Sequence, residues 1–176
     1  TCSTATWTGN RFFQAKASSG IRPIYTLAAV AKDNEGNFWV YWGTGDKTDP
    51  TGANAQEVIF AVKDTDFTST RTGDQLQNIT SEGSVYDPTA AGTYGYYINL
   101  TGQGEKMLSD VTVFGGVLYV ATFTPEQSNN PCRQGGEAKL YGLGATSGAG
   151  ALAIPGVTDP PRSMSIGTGI SSAPVV

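Results

Sequence analysis

The chain has 176 residues, of which 39% are hydrophobic, and 11 basic against 15 acidic residues give a formal net charge of −4. A chain of this length buries roughly two thirds of its unfolded surface, which is enough for one domain with its own core. The acidic balance argues against nucleic acid as a partner, because phosphate binding needs a surplus of Lys and Arg. There is no histidine, which excludes Ser-His-Asp triads and histidine-ligated zinc sites.

Short runs of aromatic and β-branched residues, bounded by Gly, Asn, Asp and Pro, recur along the chain and are typical of β-strands. No long stretch shows the 3.6-residue period of an amphipathic helix. The longest apolar run, Leu27–Ala31, is far too short to span a membrane. The predicted strands in chain order are Arg11–Ala17, Tyr25–Ala31, Phe38–Gly43, Glu57–Lys63, Tyr94–Leu100, Ser109–Phe114, Val117–Phe123, Lys139–Leu143 and Ala173–Val176.

Two hairpins are specified by their turns. Gly115-Gly116 separates VTVF from VLYVATF, which is the two-residue spacing of a tight primed turn. The segment 33–37 (DNEGN) joins TLAAVAK to FWVYWG through a longer loop. The two hairpins align as copies of one unit when Ala29 is matched with Val111, and Ala173–Val176 is interpreted as the start of a third unit. Repeats of this kind predict the blades of a β-propeller.

The predicted fold is therefore all-β: a partial β-propeller with about two to three blades of four-stranded antiparallel sheet. A single β-sandwich is the alternative. Residues 1–176 are expected to form one segment of a propeller domain that begins and ends in mid-blade. Because a propeller typically closes with four to eight blades, we expect other blades, from the same polypeptide or from other chains, to complete the ring.

The two cysteines, Cys2 and Cys132, stand far apart, so the chain has no CxxC pair. The low content of charged residues and the abundant Gly, Ser and Thr are common in secreted β-proteins, where disulfides form. A Cys2–Cys132 bridge would contribute roughly 4–5 kcal/mol in the chain-entropy model. The alternatives are two free thiols, or a partner for Cys2 outside this segment.

Oxygen atoms are the metal ligands that this sequence offers, which makes calcium the candidate cofactor. Asp46, Asp49 and Asn54 crowd the loop after the first Gly-Thr-Gly and are the candidate ligands. Calcium takes six to eight oxygens, partly from carbonyls and water. The alternative is that these residues form turns by bonding their own backbone.

No carboxylate pair is singled out for catalysis, and the chain is predicted not to be an enzyme. Glu57, Glu105 and Glu137 each lie where a solvated strand end is expected. The glycines at 43, 45, 167 and 169 are interpreted as bulge or turn positions. The aromatic residues of Phe38–Gly43 are expected to pack on both faces of a blade. Tyr94, Tyr96 and Tyr97 are interpreted as edge-strand packing, with an exposed contact patch as the alternative.

An ordered set of segments resembles the C-terminal propeller of the PilY/PilC-type adhesins associated with type IV pili. The resemblance spans nearly the whole chain. It lies in FFQAKASSGIRPIYTLAAVA (12–31), FWVYWGTGDK (38–47), QEVIFAVKDT (56–65), GYYINLTGQGEKMLSDVTVFGGVLYVATFTP (95–125), NPCRQGGEAKLYGLGATSG (130–148) and GISSAPVV (169–176).

This resemblance implies a non-enzymatic protein that acts in type IV pilus assembly, retraction and surface adhesion. Its implied partners are pilus subunits, other propeller blades and a host or surface ligand. Its implied location is extracellular, at the cell surface, or periplasmic and associated with the outer membrane. Family members carry a calcium loop of the D-x-D-x-N/D-G type, of which 33–37 lacks the second Asp and the closing acidic ligand. The alternatives are a fragment of an extracellular propeller enzyme, quinoprotein-like or glycosidase-like, and a stand-alone β-sandwich adhesion domain.

Overall fold

A computed structural model gives the fold and describes residues 9–14, 22–53, 55–66, 68–127 and 135–176. Within these residues the chain forms a short 3₁₀ helix, Gly73–Gln75, and twelve strands. The strands are β1 (Phe13–Gln14), β2 (Ala29–Lys32), β3 (Phe38–Gly43), β4 (Val58–Asp64), β5 (Arg71–Thr72), β6 (Gln77–Asn78), β7 (Gly95–Asn99), β8 (Lys106–Met107), β9 (Thr112–Phe114), β10 (Val117–Pro125), β11 (Gly136–Gly144) and β12 (Ser163–Thr168).

The first large sheet has the strand order β2-β3-β4-β7-β6. Strands β2, β3, β4 and β7 are antiparallel neighbours in chain order, and the short β6 pairs parallel to β7. The register sets Val40 opposite Val62 and Ala61 opposite Tyr96. Strands β3 and β4 are buried along most of their length, which fits their apolar character on both faces.

The second large sheet has the order β12-β11-β10-β8, and β9 also pairs with β10. Strands β8 and β9 lie along the same side of β10, opposite Thr122–Phe123 and Val117–Tyr119 respectively. Strand β11 pairs with β10 over nine residues, and β12 follows with a bulge near Ala138/Lys139. This sheet is also an antiparallel meander that follows the chain.

The two large sheets pack face to face over one core. The first sheet contributes Trp39, Tyr41, Ile59, Tyr96 and Ile98, and the second contributes Met107, Leu118, Val120, Tyr141 and Leu143. These residues alternate along their strands with residues of the opposite faces, as the period of two requires. The outer face of the first sheet has its own apolar cluster, where Phe12 and Phe13 pack against Trp42 and Phe60. The segment that carries these two phenylalanines also forms β1, which pairs parallel to β5.

The tight hairpin forms as predicted. Gly115 and Gly116 have φ values of 57° and 78°, and both angles lie in the left-handed region that a primed two-residue turn requires. The longer hairpin turns through Asp33, whose carbonyl accepts from Gly36 N and whose amide donates to Asn37 O. The two hairpins supply β2–β3 of the first sheet and β9–β10 of the second, where the short β8 precedes β9.

The all-β class is confirmed, and eight of the predicted strands overlap observed ones. The predicted strand Ala173–Val176 is wrong, because residues 169–176 run as irregular chain and Pro174 O accepts from Thr112 Oγ1 at 2.7 Å. Residues 15–17 of the first predicted strand lie outside the described residues. Strand β12 was not predicted, because SMSIGT has few β-branched and no aromatic residues.

No helix in the described ranges is long and apolar enough to cross a membrane.

Candidate functional site

The loop predicted to bind calcium is held by hydrogen bonds of its own. Asp46 Oδ1 accepts from the amide and the hydroxyl of Thr48, and these bonds lower the pKa of Asp46. Asp49 Oδ1 accepts from Gly52 N at 2.9 Å. Asn54 lies outside the described residues. Both aspartates thus form turns of the kind that short polar side chains favour.

A buried lysine occupies the carbonyls of the same loop. Lys106, at the start of β8, donates from Nζ to the carbonyl oxygens of Asp49 and Gly52, each at 2.7 Å. Two oxygens that could serve a cation are therefore already bonded to an ammonium group. Among the described residues, no three Asp, Glu, His or Cys side chains gather into a metal-binding group. Calcium binding here stays a prediction. The same is true of the disulfide, since Cys2 and Cys132 both lie outside the described ranges.

Two glutamates expected to be solvated are instead buried, which corrects the sequence interpretation. Glu57 is 3% exposed and Glu105 is 1% exposed, whereas Glu137 on β11 is exposed as expected. Glu57 accepts from the hydroxyl of Thr44, which itself accepts from Val58 N at 2.9 Å. A carboxylate is tolerated in a core when its oxygens are hydrogen-bonded.

Glu105 joins neighbouring strands of the second sheet. Its Oε1 accepts from Thr122 Oγ1 at 2.7 Å and from Tyr141 Oη at 2.9 Å, while Oε2 accepts from Gly102 N at 2.9 Å. Lys139 Nζ lies 3.9 Å from Oε2. Burial, followed by the charge of Glu105, raises the pKa of Tyr141, so this phenol remains a donor. The arrangement has the features of a structural network that ties β10, β11 and the turn at Gly102 together.

The two Gly-Thr-Gly segments have different roles. Gly43 and Gly45 lie against β8 so closely that a Cβ on Gly45 would be 2.4 Å from the carbonyl oxygen of Met107. Thr44 O accepts from Met107 N at 3.1 Å, which ties the first sheet to the second. Gly167 and Gly169 lie in open space with positive φ. The first copy is a close approach of backbones. In the second copy, Gly167 lies in β12 next to the bulge and Gly169 follows the end of that strand.

The interpretation of the aromatic residues as structure agrees with the burial of Trp39, Tyr41 and Trp42, whereas Phe38 is 37% exposed. Trp39 and Tyr41 stack with their centroids 6.3 Å apart in the core between the sheets, and Trp42 stacks on Phe60 on the opposite face at 5.1 Å. Tyr96 is buried, and Tyr94 and Tyr97 are half-buried. The three tyrosines therefore do not form an exposed contact patch. The predicted edge strand is wrong, because β7 lies between β4 and β6.

The described residues form a cleft where turns of both sheets meet, and we call it the turn cleft. Its volume is about 390 Å³, within the range of small-molecule sites. The hairpin loop 33–35 and Lys63 form its wall on the first sheet. The β9–β10 turn at Gly116 and the turn at 145–146 form its wall on the second sheet, and Tyr86 and Pro88 complete the lining. Trp39 and Tyr41 line its inner part.

One wall of the turn cleft is fixed by Asp33. Its carboxylate accepts from Trp39 Nε1 at 2.9 Å, from Asn37 N at 2.8 Å and from Glu35 N at 3.0 Å. Desolvation raises the pKa of Asp33, but the bonds from Trp39, Asn37 and Glu35 outweigh it and lower the pKa from 3.8 to about 2. The segment 33–37, which comes nearest to the calcium loop expected from the sequence resemblance, therefore has this carboxylate bonded within the protein.

The turn cleft is not predictable from the sequence. Tyr41 is predicted to pack in the core and Lys63 has no predicted role, because nothing in one strand shows which loops of another sheet will lie beside it. A mixed lining of charged, hydroxyl and aromatic side chains drawn from five separate segments has no local sequence signal.

The architecture defines the chain as an all-β protein built from open, mainly antiparallel sheets with a cleft where turns of two of them meet. Comparison with protein families, with curated proteins and with solved structures found no match.

Proposed function

We propose that the chain forms consecutive blades of a β-propeller. The supporting observation is that each large sheet is drawn from one stretch of chain, residues 29–99 for the first and 106–168 for the second. Four of the five strands in each sheet form an antiparallel meander, β2-β3-β4-β7 and β9-β10-β11-β12. Sandwiches of the immunoglobulin type exchange strands between sheets by Greek-key connections. Propeller blades are instead completed one after another along the chain.

The outer face of the second sheet supports the same proposal. Phe114 on β9 is 62% exposed, and Met164 on β12 is exposed too, although Phe123 on the same face is buried. The register places Phe114 beside Val117 and Met164 beside Leu140, so these side chains share the face that points away from the first sheet. A further blade would cover this apolar surface.

We infer that the propeller acts without catalysis, by binding proteins in type IV pilus assembly, retraction and adhesion at the cell surface. This inference rests on the resemblance of the ordered segments to the PilY/PilC-type adhesins. Strand β12 offers a contact of suitable chemistry: it is an edge strand with no charged residue from Ser163 to Thr168. Such an edge can take up a strand of a pilus subunit by β-augmentation.

The geometry of β12 provides a sharp test. Gly142 N donates to Arg162 O, and since hydrogen-bonded pairs alternate along an antiparallel ladder, the amide of Ser165 points away from β11. Ser165→Pro removes that outward donor, and Ser165→Ala keeps it. Binding to purified type IV pili is measured by biolayer interferometry, with another bacterial filament as the control surface. We expect wild type and Ser165→Ala to bind pili, and Ser165→Pro to bind at least several-fold more weakly.

Three outcomes would contradict the proposal. Equal binding to type IV pili and to the control filament would contradict a specific role in pili. Equal binding of Ser165→Pro and Ser165→Ala to pili would contradict a contact through the edge of β12. Turnover of a sugar or an alcohol in the presence of calcium or a quinone, abolished by a single Asp or Glu substitution, would favour the enzyme alternative.

A further inference from the structure

Tyr41 differs from the other buried tyrosines of the described chain. Tyr86 donates to Thr93 O, Tyr96 to Gly144 O and Ala145 O, and Tyr141 to Glu105. Tyr41 is 1% exposed, yet within the described ranges its hydroxyl has no hydrogen-bond partner. The shift of its pKa accordingly has two causes, burial and the charge of Asp33, and no hydrogen bond contributes to it. Buried tyrosine hydroxyls usually find a partner, so this donor is left for something that enters the protein.

The hydroxyl meets the turn cleft. Tyr41 lines that cleft, and its oxygen is not among the fully enclosed polar atoms that lack a partner. Contact with solvent therefore reaches it through the cleft. Burial and the nearby Asp33 carboxylate raise the pKa of Tyr41, so the group remains protonated and donates.

The lining of the turn cleft is balanced in charge. Lys32 and Lys63 supply two ammonium groups, and Asp33 and Glu35 supply two carboxylates. Glu35 Oε2 and Lys63 Nζ lie 3.3 Å apart. A site for a strongly charged ligand carries a surplus of the opposite sign, and this one carries none. Donors and acceptors stand side by side, while the rings of Trp39 and Tyr86 belong to the core behind them and are only 2% and 4% exposed.

We propose that the turn cleft binds a neutral sugar residue, whose hydroxyl groups accept from Tyr41 Oη and Lys63 Nζ and donate to Glu35. A sugar hydroxyl both donates and accepts, which suits a lining where both kinds of group alternate. The site is independent of the pilus role, because the cleft binds its ligand whether or not the chain contacts a pilus.

The test uses the whole chain and defined probes. Saturation-transfer NMR and calorimetry are run with glucose, galactose, mannose and N-acetylglucosamine, and with glucuronate and glucosamine as charged counterparts. We expect at least one neutral sugar to bind at millimolar concentration or better, and more tightly than its charged counterparts. Tyr41→Phe removes only the unpaired hydroxyl, and we expect it to weaken binding roughly fivefold to tenfold with no fall in the midpoint of thermal unfolding.

Tyr86→Phe is the matched control, since Tyr86 lines the same cleft but its hydroxyl bonds to Thr93 O. We expect this change to lower the unfolding midpoint and to leave sugar affinity nearly unchanged. The proposal is overturned if no sugar binds, if a charged probe binds best, or if Tyr41→Phe binds as wild type does. A crystal structure at saturating sugar with only water at Tyr41 Oη would overturn it as well.

Discussion

Asp33 shows how one carboxylate holds a loop. Its bonds from Trp39, Asn37 and Glu35 exist for the ionised form, which is why the pKa falls to about 2. A group whose folded pKa is depressed adds stability above its unfolded value, near 3.8, and this stability disappears as the pH falls through the folded pKa. The side chain therefore stabilises the hairpin at neutral pH and loses that effect in acid.

Replacing Asp33 by Asn exposes this dependence. Asp33→Asn keeps the shape but lacks the charge, so we expect it to be less stable than wild type above about pH 4. The difference should shrink steadily toward pH 2, where the wild-type carboxyl becomes protonated. Denaturant unfolding of both proteins across this range measures it, and a difference that does not vary with pH would contradict the assignment.

Glu105 is a second residue whose role is fixed by burial. Glu105→Ala would leave Tyr141 Oη, Thr122 Oγ1 and Gly102 N without their acceptor, so we expect a loss of about 3–5 kcal/mol of stability. The matched change Glu137→Ala, on an exposed side chain of β11, should stay within about 0.5 kcal/mol of wild type. Equal effects of the two substitutions would show that the network contributes nothing.

At the scale of elements, the contact between the first Gly-Thr-Gly and β8 joins the two sheets. A Cβ at position 45 would lie 2.4 Å from Met107 O, which is backbone and cannot turn aside. We expect Gly45→Ala to force the sheets apart locally and to cost about 1–3 kcal/mol. Gly9→Ala, where a Cβ would meet nothing within 4 Å, is the control, and chemical denaturation of both variants provides the comparison.

The predictable elements are those whose signal is local. Strand β3 was predicted with its observed bounds, because FWVYWG is dense in aromatic and β-branched residues and is closed by glycine. The turn at Gly115 and Gly116 was predicted because its backbone requires positive φ. Strand β12 could not be predicted, because its pairing with β11, and not its composition, makes it a strand. The burial of Glu105 could not be predicted either, because its partners Thr122 and Tyr141 come from distant segments of the chain.

At the scale of the whole molecule, the proposed propeller predicts association of the isolated chain. Phe114 and Met164 are exposed on the apolar outer face of the second sheet. When no further blade is present, this face is expected to pack against a second copy of the chain. We expect concentration-dependent assembly in analytical ultracentrifugation, and a shift toward monomer in Phe114→Glu. A compact monomer at all concentrations would favour the β-sandwich.

The turn cleft takes its opposite walls from different sheets, and this has a thermodynamic consequence. A ligand bound there contacts both sheets, so ligand binding and the packing of the two sheets are thermodynamically linked. Each stabilises the other by the same free energy. Gly45 does not line the turn cleft. A substitution at Gly45 that loosens the contact between the two sheets should therefore weaken ligand binding in the cleft without touching the ligand. The affinity for a small ligand would therefore measure how strongly the two sheets are held together.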